Sequence, residues 1–99
     1  MAGKNGAIKL VAGNSNRALS EAIAAYLSEA LETGDPSFVA HAIGTAARAR
    51  GMSDIARDAG VSRENLYRAL SGDTKPEFET IMKVLDALGV QLSAKPKAA

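Results

Sequence analysis

The stretch from Met52 to Ser71, MSDIARDAGVSRENLYRALS, limits what this chain can fold into more than any other. It holds two short helical patterns joined through a glycine. Ser53 stands where a hydroxyl can accept from the free N–H groups of an opening turn, and Asp54 adds a favourable charge there. Ile55, Ala56 and Ala59 then fall on one apolar face. Gly60 can take the left-handed conformation that ends a helix at low steric cost. Val61 is apolar, Ser62 offers a second N-cap, and Arg63 to Leu70 forms a second helix with Leu66, Ala69 and Leu70 turned inward. Two helices crossing steeply through so short a turn need a small residue where they meet, and Ala56 supplies it. The spacing predicts a helix-turn-helix.

Arg63, Glu64, Tyr67 and Arg68 are left on the outward face of the second helix. Such side chains reach base edges and phosphates when a helix lies in a major groove. The competing reading is a solvated face on an ordinary helical hairpin, because a glycine-linked helix pair alone occurs in many bundles. Small residue, glycine, cap and apolar positions all in register favour nucleic acid. A net charge of +1 does not announce a nucleic-acid binder, so the distribution of charge matters more. From Arg48 to Lys75 there are six basic residues (Arg48, Arg50, Arg57, Arg63, Arg68, Lys75) against four acidic ones (Asp54, Asp58, Glu64, Asp73). Between Glu21 and Asp35 there are four acids and no base. The segregation suits one face for phosphates and another for something else.

Ninety-nine residues, rich in alanine and poor in aromatics, suit one helical domain with a single core. With no cysteine there is neither a disulfide framework nor a thiolate metal site. No secretory signal is evident, and no apolar run nears the ~18 residues of a membrane span, so the expected compartment is the cytoplasm. Residues 1–18 read as a flexible N-terminal arm. The alternation around Ile8 and Leu10 is compatible with a short edge strand, but the Gly- and Asn-rich composition favours disorder. From Asn16 or Ser20 onward, Leu19, Ala22, Ile23, Tyr26, Leu27, Ala30 and Leu31 form a wide apolar stripe at helical spacing. Gly34 ends that helix, and Asp35-Pro36 restarts the chain as N-cap and N1 proline.

The second helix runs to about Arg50, with Phe38, Val39, Ala42, Ile43 and Ala46 inward and Gly51 as its stop. Arg48 and Arg50 in its last turn oppose the partial negative charge there. After Ser71 the run Gly-Asp-Thr-Lys-Pro is a loop by composition. Glu77 to Leu88 makes the last helix, with Phe78, Ile81, Met82, Leu85 and Leu88 facing the core and Gly89 ending it. Val90 and Leu92 alternate with Gln91 and Ser93 as in a short strand. The helix-turn-helix domain therefore spans 19–93, and 94–99 is a fraying tail. The expected fold is all-α, five helices, with room for that short C-terminal strand.

Chemistry of other kinds finds little support. His41 is the only histidine and has no second ligand near it in sequence. The acids are scattered on polar faces, and neither a Ser/His/Asp constellation nor a glycine-rich phosphate loop is visible. The expectation is a protein that is not an enzyme and that takes no cofactor or metal.

Gly60-Val61-Ser62-Arg63, then Leu66-Tyr67-Arg68-Ala69-Leu70-Ser71-Gly72, then KPEFETIMKVLDALG resembles the XRE, lambda-repressor-like helix-turn-helix family. More narrowly, EAIAAYLSEALETGDPSFVAHAIGTAARARGMSDIARDAGVSRENLYRALSG resembles the addiction-module antidote proteins, the HigA-like antitoxins. The likeness runs from about Glu21 to Leu92. It implies a homodimer that binds a palindromic operator in its own promoter, with a small RelE/HigB-like toxin as partner. Position by position, it places Arg63, Glu64 and Arg68 where base-reading residues stand. Met52 and Ser53 open the scaffold helix beside the backbone, and Ser62, Asn65, Tyr67, Thr74 and Lys75 are phosphate contacts. Ser53 and Ser62 also read as helix caps. Arg suits guanine O6 and N7, and Glu64 can accept from cytosine N4 or instead orient Arg68, its i+4 neighbour. Two other functions stay open: a stand-alone XRE regulator, and a helical interaction module without DNA binding.

Overall fold

The computed structural model describes residues 16–98, and within them the chain forms five α-helices and no strand. They are α1 (Asn16–Glu32), α2 (Pro36–Arg50), α3 (Met52–Ala59), α4 (Arg63–Ala69) and α5 (Phe78–Ala87). The all-α expectation holds. Residues 1–15 of the expected arm, including Ile8 and Leu10, lie outside the described residues.

Local chemistry explains where the helices start and stop. Asp35 caps α2, its carboxylate accepting from the Ser37 and Phe38 N–H groups at 3.0 and 3.3 Å, and Pro36 occupies the first turn where no N–H is needed. Gly51 ends α2 with its N–H on the Ala47 carbonyl and is at once the N-cap of α3. That leaves no room for the cap expected of Ser53. Ser53 is an exposed residue inside α3, which has no side-chain cap; Met52, one residue earlier, is drawn into the core and starts the helix sooner.

The short helix α3 is central: it packs on α2, α4 and α5, while α1 lies along α2. Ile23, Ile55, Leu66, Leu70, Val84 and Leu88 are the largest fully buried side chains. They come from α1, α3, α5 and the region of α4, so the core joins elements distant in sequence. Two close approaches fix the packing. The backbone of α2 at Gly44 meets the end of α4, where a Cβ on Gly44 would lie 3.0 Å from the Leu70 carbonyl oxygen. Ser37 Oγ donates to the Gly72 carbonyl at 2.9 Å and ties the loop after α4 to the start of α2.

Several inward assignments from the sequence are corrected. Phe38 is 49% exposed, because it lies five residues before Ile43 and so on the far side of α2; Ala40 and Ala47 are buried instead. Phe78 is 68% and Met82 45% exposed, whereas Val84 is fully buried. The buried stripe of α5 centres on Val84, Leu85 and Leu88, leaving Met82 beyond its edge and Phe78 exposed in the first turn. Ala22 and Leu31 are exposed at the margins of the α1 stripe. The Val90–Leu92 strand does not form, since no described strand lies beside it. The Val90 N–H instead closes the end of α5 on the Leu85 carbonyl at 3.0 Å.

Candidate nucleic-acid interface

The turn between α3 and α4 is built from very few atoms. Gly60 sits at φ 75°, ψ 29°, and its N–H reaches the Ala56 and Arg57 carbonyls. The Val61 N–H then returns to Ala56 O at 3.0 Å. Ala56 is buried at this crossing, where a larger side chain would force the helices apart. Ser62 is extended, and its Oγ accepts from the Asn65 N–H at 3.0 Å, which makes it the cap of α4.

A seven-residue helix cannot hold itself together in water. Leu66 and Leu70 anchor α4 in the core at one face, and its far end is closed by side chains. Ser71 Oγ and Thr74 Oγ1 both donate to the Arg68 carbonyl, at 3.0 and 2.9 Å. Thr74, expected as a phosphate contact, therefore already commits its hydroxyl proton to α4, and can offer a phosphate its N–H. Lys75 follows it, exposed in the same loop.

Between these anchors Ser62, Arg63, Glu64, Asn65, Tyr67 and Arg68 are all exposed. Arg63 lies over the Tyr67 ring, its guanidinium carbon 5.6 Å from the centroid, and Nη2 donates to the Tyr67 hydroxyl at 3.4 Å. Among the described residues no ion pair joins Glu64 to Arg68, and Arg63, Arg68 and Lys75 have no carboxylate at ion-pair distance. Arg57 differs. It is held by Asp54 at 3.2 Å and Asp58 at 3.3 Å, so the basic face is smaller than the number of arginines suggests. Met52 is the outlier among the expected contacts: its side chain is in the core, and only its backbone at the start of α3 can face outward. Ser53 beside it is exposed.

Sequence reasoning missed the Ser37–Gly72 tie and the role of Gly44, which both depend on contacts between distant segments. It also turned inward the side chains of an apolar face that the structure leaves open. Leu31, Val39, Ile43, Phe78 and Ile81 line both of two adjoining hollows of about 240 and 610 Å³. The smaller extends to Leu92, and the larger reaches Thr74 and Lys75 beside α4. Among the described residues no helix is long and apolar enough to cross a membrane, and no three His, Asp or Glu side chains are grouped as a metal site requires.

A glycine-hinged helix pair with a capped, cation-bearing outer helix is consistent with a small helical domain of the kind that binds DNA. Residues 14–96 match the family model described as probable addiction module antidote protein, so the chain belongs to that family. A protein of Haemophilus influenzae, itself described only as uncharacterized, is 51% identical over 75 residues, covering 76% of this chain and 77% of that one. No solved structure matches the chain. The family supports an antidote role with a toxin partner, and it fits a regulatory protein better than a catalyst.

Proposed function

We propose that this protein is a DNA-binding antitoxin of a type II toxin–antitoxin module, which represses its own promoter and neutralises a RelE/HigB-like toxin. The observation that carries the reading is the outer face of α4. Arg63, Glu64, Tyr67 and Arg68 are exposed together while Leu66 and Leu70 bury the opposite side. A helix so short and so firmly anchored, whose two arginines are held in no ion pair among the described residues, suits insertion into a major groove better than packing on another helix. In that pose Arg63 and Arg68 read guanine and Glu64 reads cytosine. Ser62, Asn65, Tyr67 and Lys75 contact phosphates, with Ser53 and the backbone of Met52 at the start of α3 beside the same strand.

One such helix reads only a few base pairs, so a homodimer on two half-sites is required for a unique address. The apolar face at Phe78, Met82 and Leu92 is the surface a second copy covers. It adjoins Thr74 and Lys75 in the loop after α4. The toxin meets a different face, away from α4. The test is fluorescence anisotropy of the purified protein with DNA from upstream of its own gene and with scrambled DNA. Tight binding to the first alone is expected; equal binding to both would remove the repressor half of the reading.

A further inference from the structure

The contact between Arg63 and Tyr67 gives Tyr67 a second task, beyond that of a phosphate contact, and the inference rests on the reading of α4 as the groove helix. An exposed arginine ordinarily samples many rotamers and must give them up to form a fork on a base. Here the Arg63 guanidinium is already stacked at 5.6 Å from the Tyr67 ring centroid and donates through Nη2 to its hydroxyl oxygen at 3.4 Å. The two residues are one helical turn apart on the outward face, and Tyr67 is 42% exposed, so more than half of its surface is packed. Arginine has five N–H donors, and one hydrogen bond to Tyr67 leaves enough for a bidentate guanine contact. The tyrosine oxygen, once it accepts from Arg63, still has its own proton to give.

We propose that Tyr67 is a positioning residue for sequence readout. It holds Arg63 in the orientation that meets guanine, and its hydroxyl proton donates to a phosphate oxygen of the same strand. Base reading and backbone register are thereby linked through one side chain, Arg63 Nη2–H to Tyr67 Oη and Tyr67 Oη–H to phosphate.

The test is a double-mutant cycle on the ratio of operator to scrambled-DNA affinity. In the wild-type background Tyr67→Leu removes ring and hydroxyl, and the ratio should fall by roughly two- to fivefold per recognition helix, the scale of an exposed cation–π contact. Tyr67→Phe keeps the ring and should fall between the two. In an Arg63→Ala background Tyr67→Leu should leave the ratio unchanged, because there is no longer a side chain to orient. Equal losses with and without Arg63 would overturn the proposal and leave Tyr67 as an independent contact. Melting midpoints of all variants should match their parents, since neither side chain belongs to the core or packs against it; a fall confined to Tyr67→Leu would make its role structural and also overturn the proposal. A wild type that does not distinguish operator from scrambled DNA refutes the groove reading itself, a different outcome from equal losses in the cycle.

Discussion

At the scale of single residues, two glycines show different reasons for the same side chain. Gly60 is at φ 75° with nothing within 4 Å of where a Cβ would stand, so its requirement is conformational. Gly44 is in the middle of α2, where alanine is the better helix former by about 1 kcal/mol, yet a Cβ there would press on the Leu70 carbonyl oxygen at 3.0 Å and the Leu70 Cβ at 3.3 Å. A backbone oxygen cannot rotate away, and overpacking costs about 1–3 kcal/mol, so the steric term wins. Gly44→Ala should therefore lower stability by roughly 1 kcal/mol net of its propensity gain. Gly60→Asn should be tolerated better than Gly60→Val, because asparagine visits the left-handed region and a β-branched residue does not. Urea unfolding of the three variants checks both statements, and a stabilised Gly44→Ala would contradict the close packing of α2 on the end of α4.

At the scale of elements, α4 depends on its ends. Ser62 gives the only side-chain cap at the N-terminus of a seven-residue helix, so Ser62→Ala should cost about 1 kcal/mol in a denaturant titration. Ser62→Asp keeps the cap but sets a negative charge beside DNA phosphates; stability should hold while DNA affinity falls. An unchanged affinity would remove Ser62 from the interface. These ends were legible in the sequence because caps and left-handed glycines act within a few residues: Asp35-Pro36, Gly60 and Ser62 needed no tertiary information. Ser53 misled for a related reason. Its hydroxyl suits a cap, but the burial of Met52 moves the start of α3 upstream, and burial depends on the whole fold. The same limit explains Phe38, Phe78 and Met82. Helical periodicity says which residues share a face, and only the placement of neighbouring helices says how far round that face is covered. The outward face of α4 was more legible than the core, since residues left over after the inward positions of α4 are assigned are necessarily outward.

At the scale of the whole molecule, the fold presents a cation-bearing helix on one side and an apolar face at α5 next to it. If a second copy covers that face, sedimentation at increasing concentration should show a dimer, and Phe78→Asp should give a folded monomer with weakened operator binding. A monomer at every concentration, free and on DNA, would contradict the dimer. The central claim is that α4 reads bases, and a salt titration separates reading from mere attraction. Operator and scrambled DNA would be titrated with wild type, Arg63→Ala and Lys75→Ala. Arg63→Ala should cost about 1–3 kcal/mol on operator and little on scrambled DNA. Lys75, in the loop after α4, reaches only backbone, so Lys75→Ala should weaken both DNAs alike. Its salt slope should be shallower by roughly one unit for each phosphate left unneutralised, doubled in a dimer. If Arg63→Ala instead weakens both DNAs equally, α4 rests on the phosphates and does not read the groove.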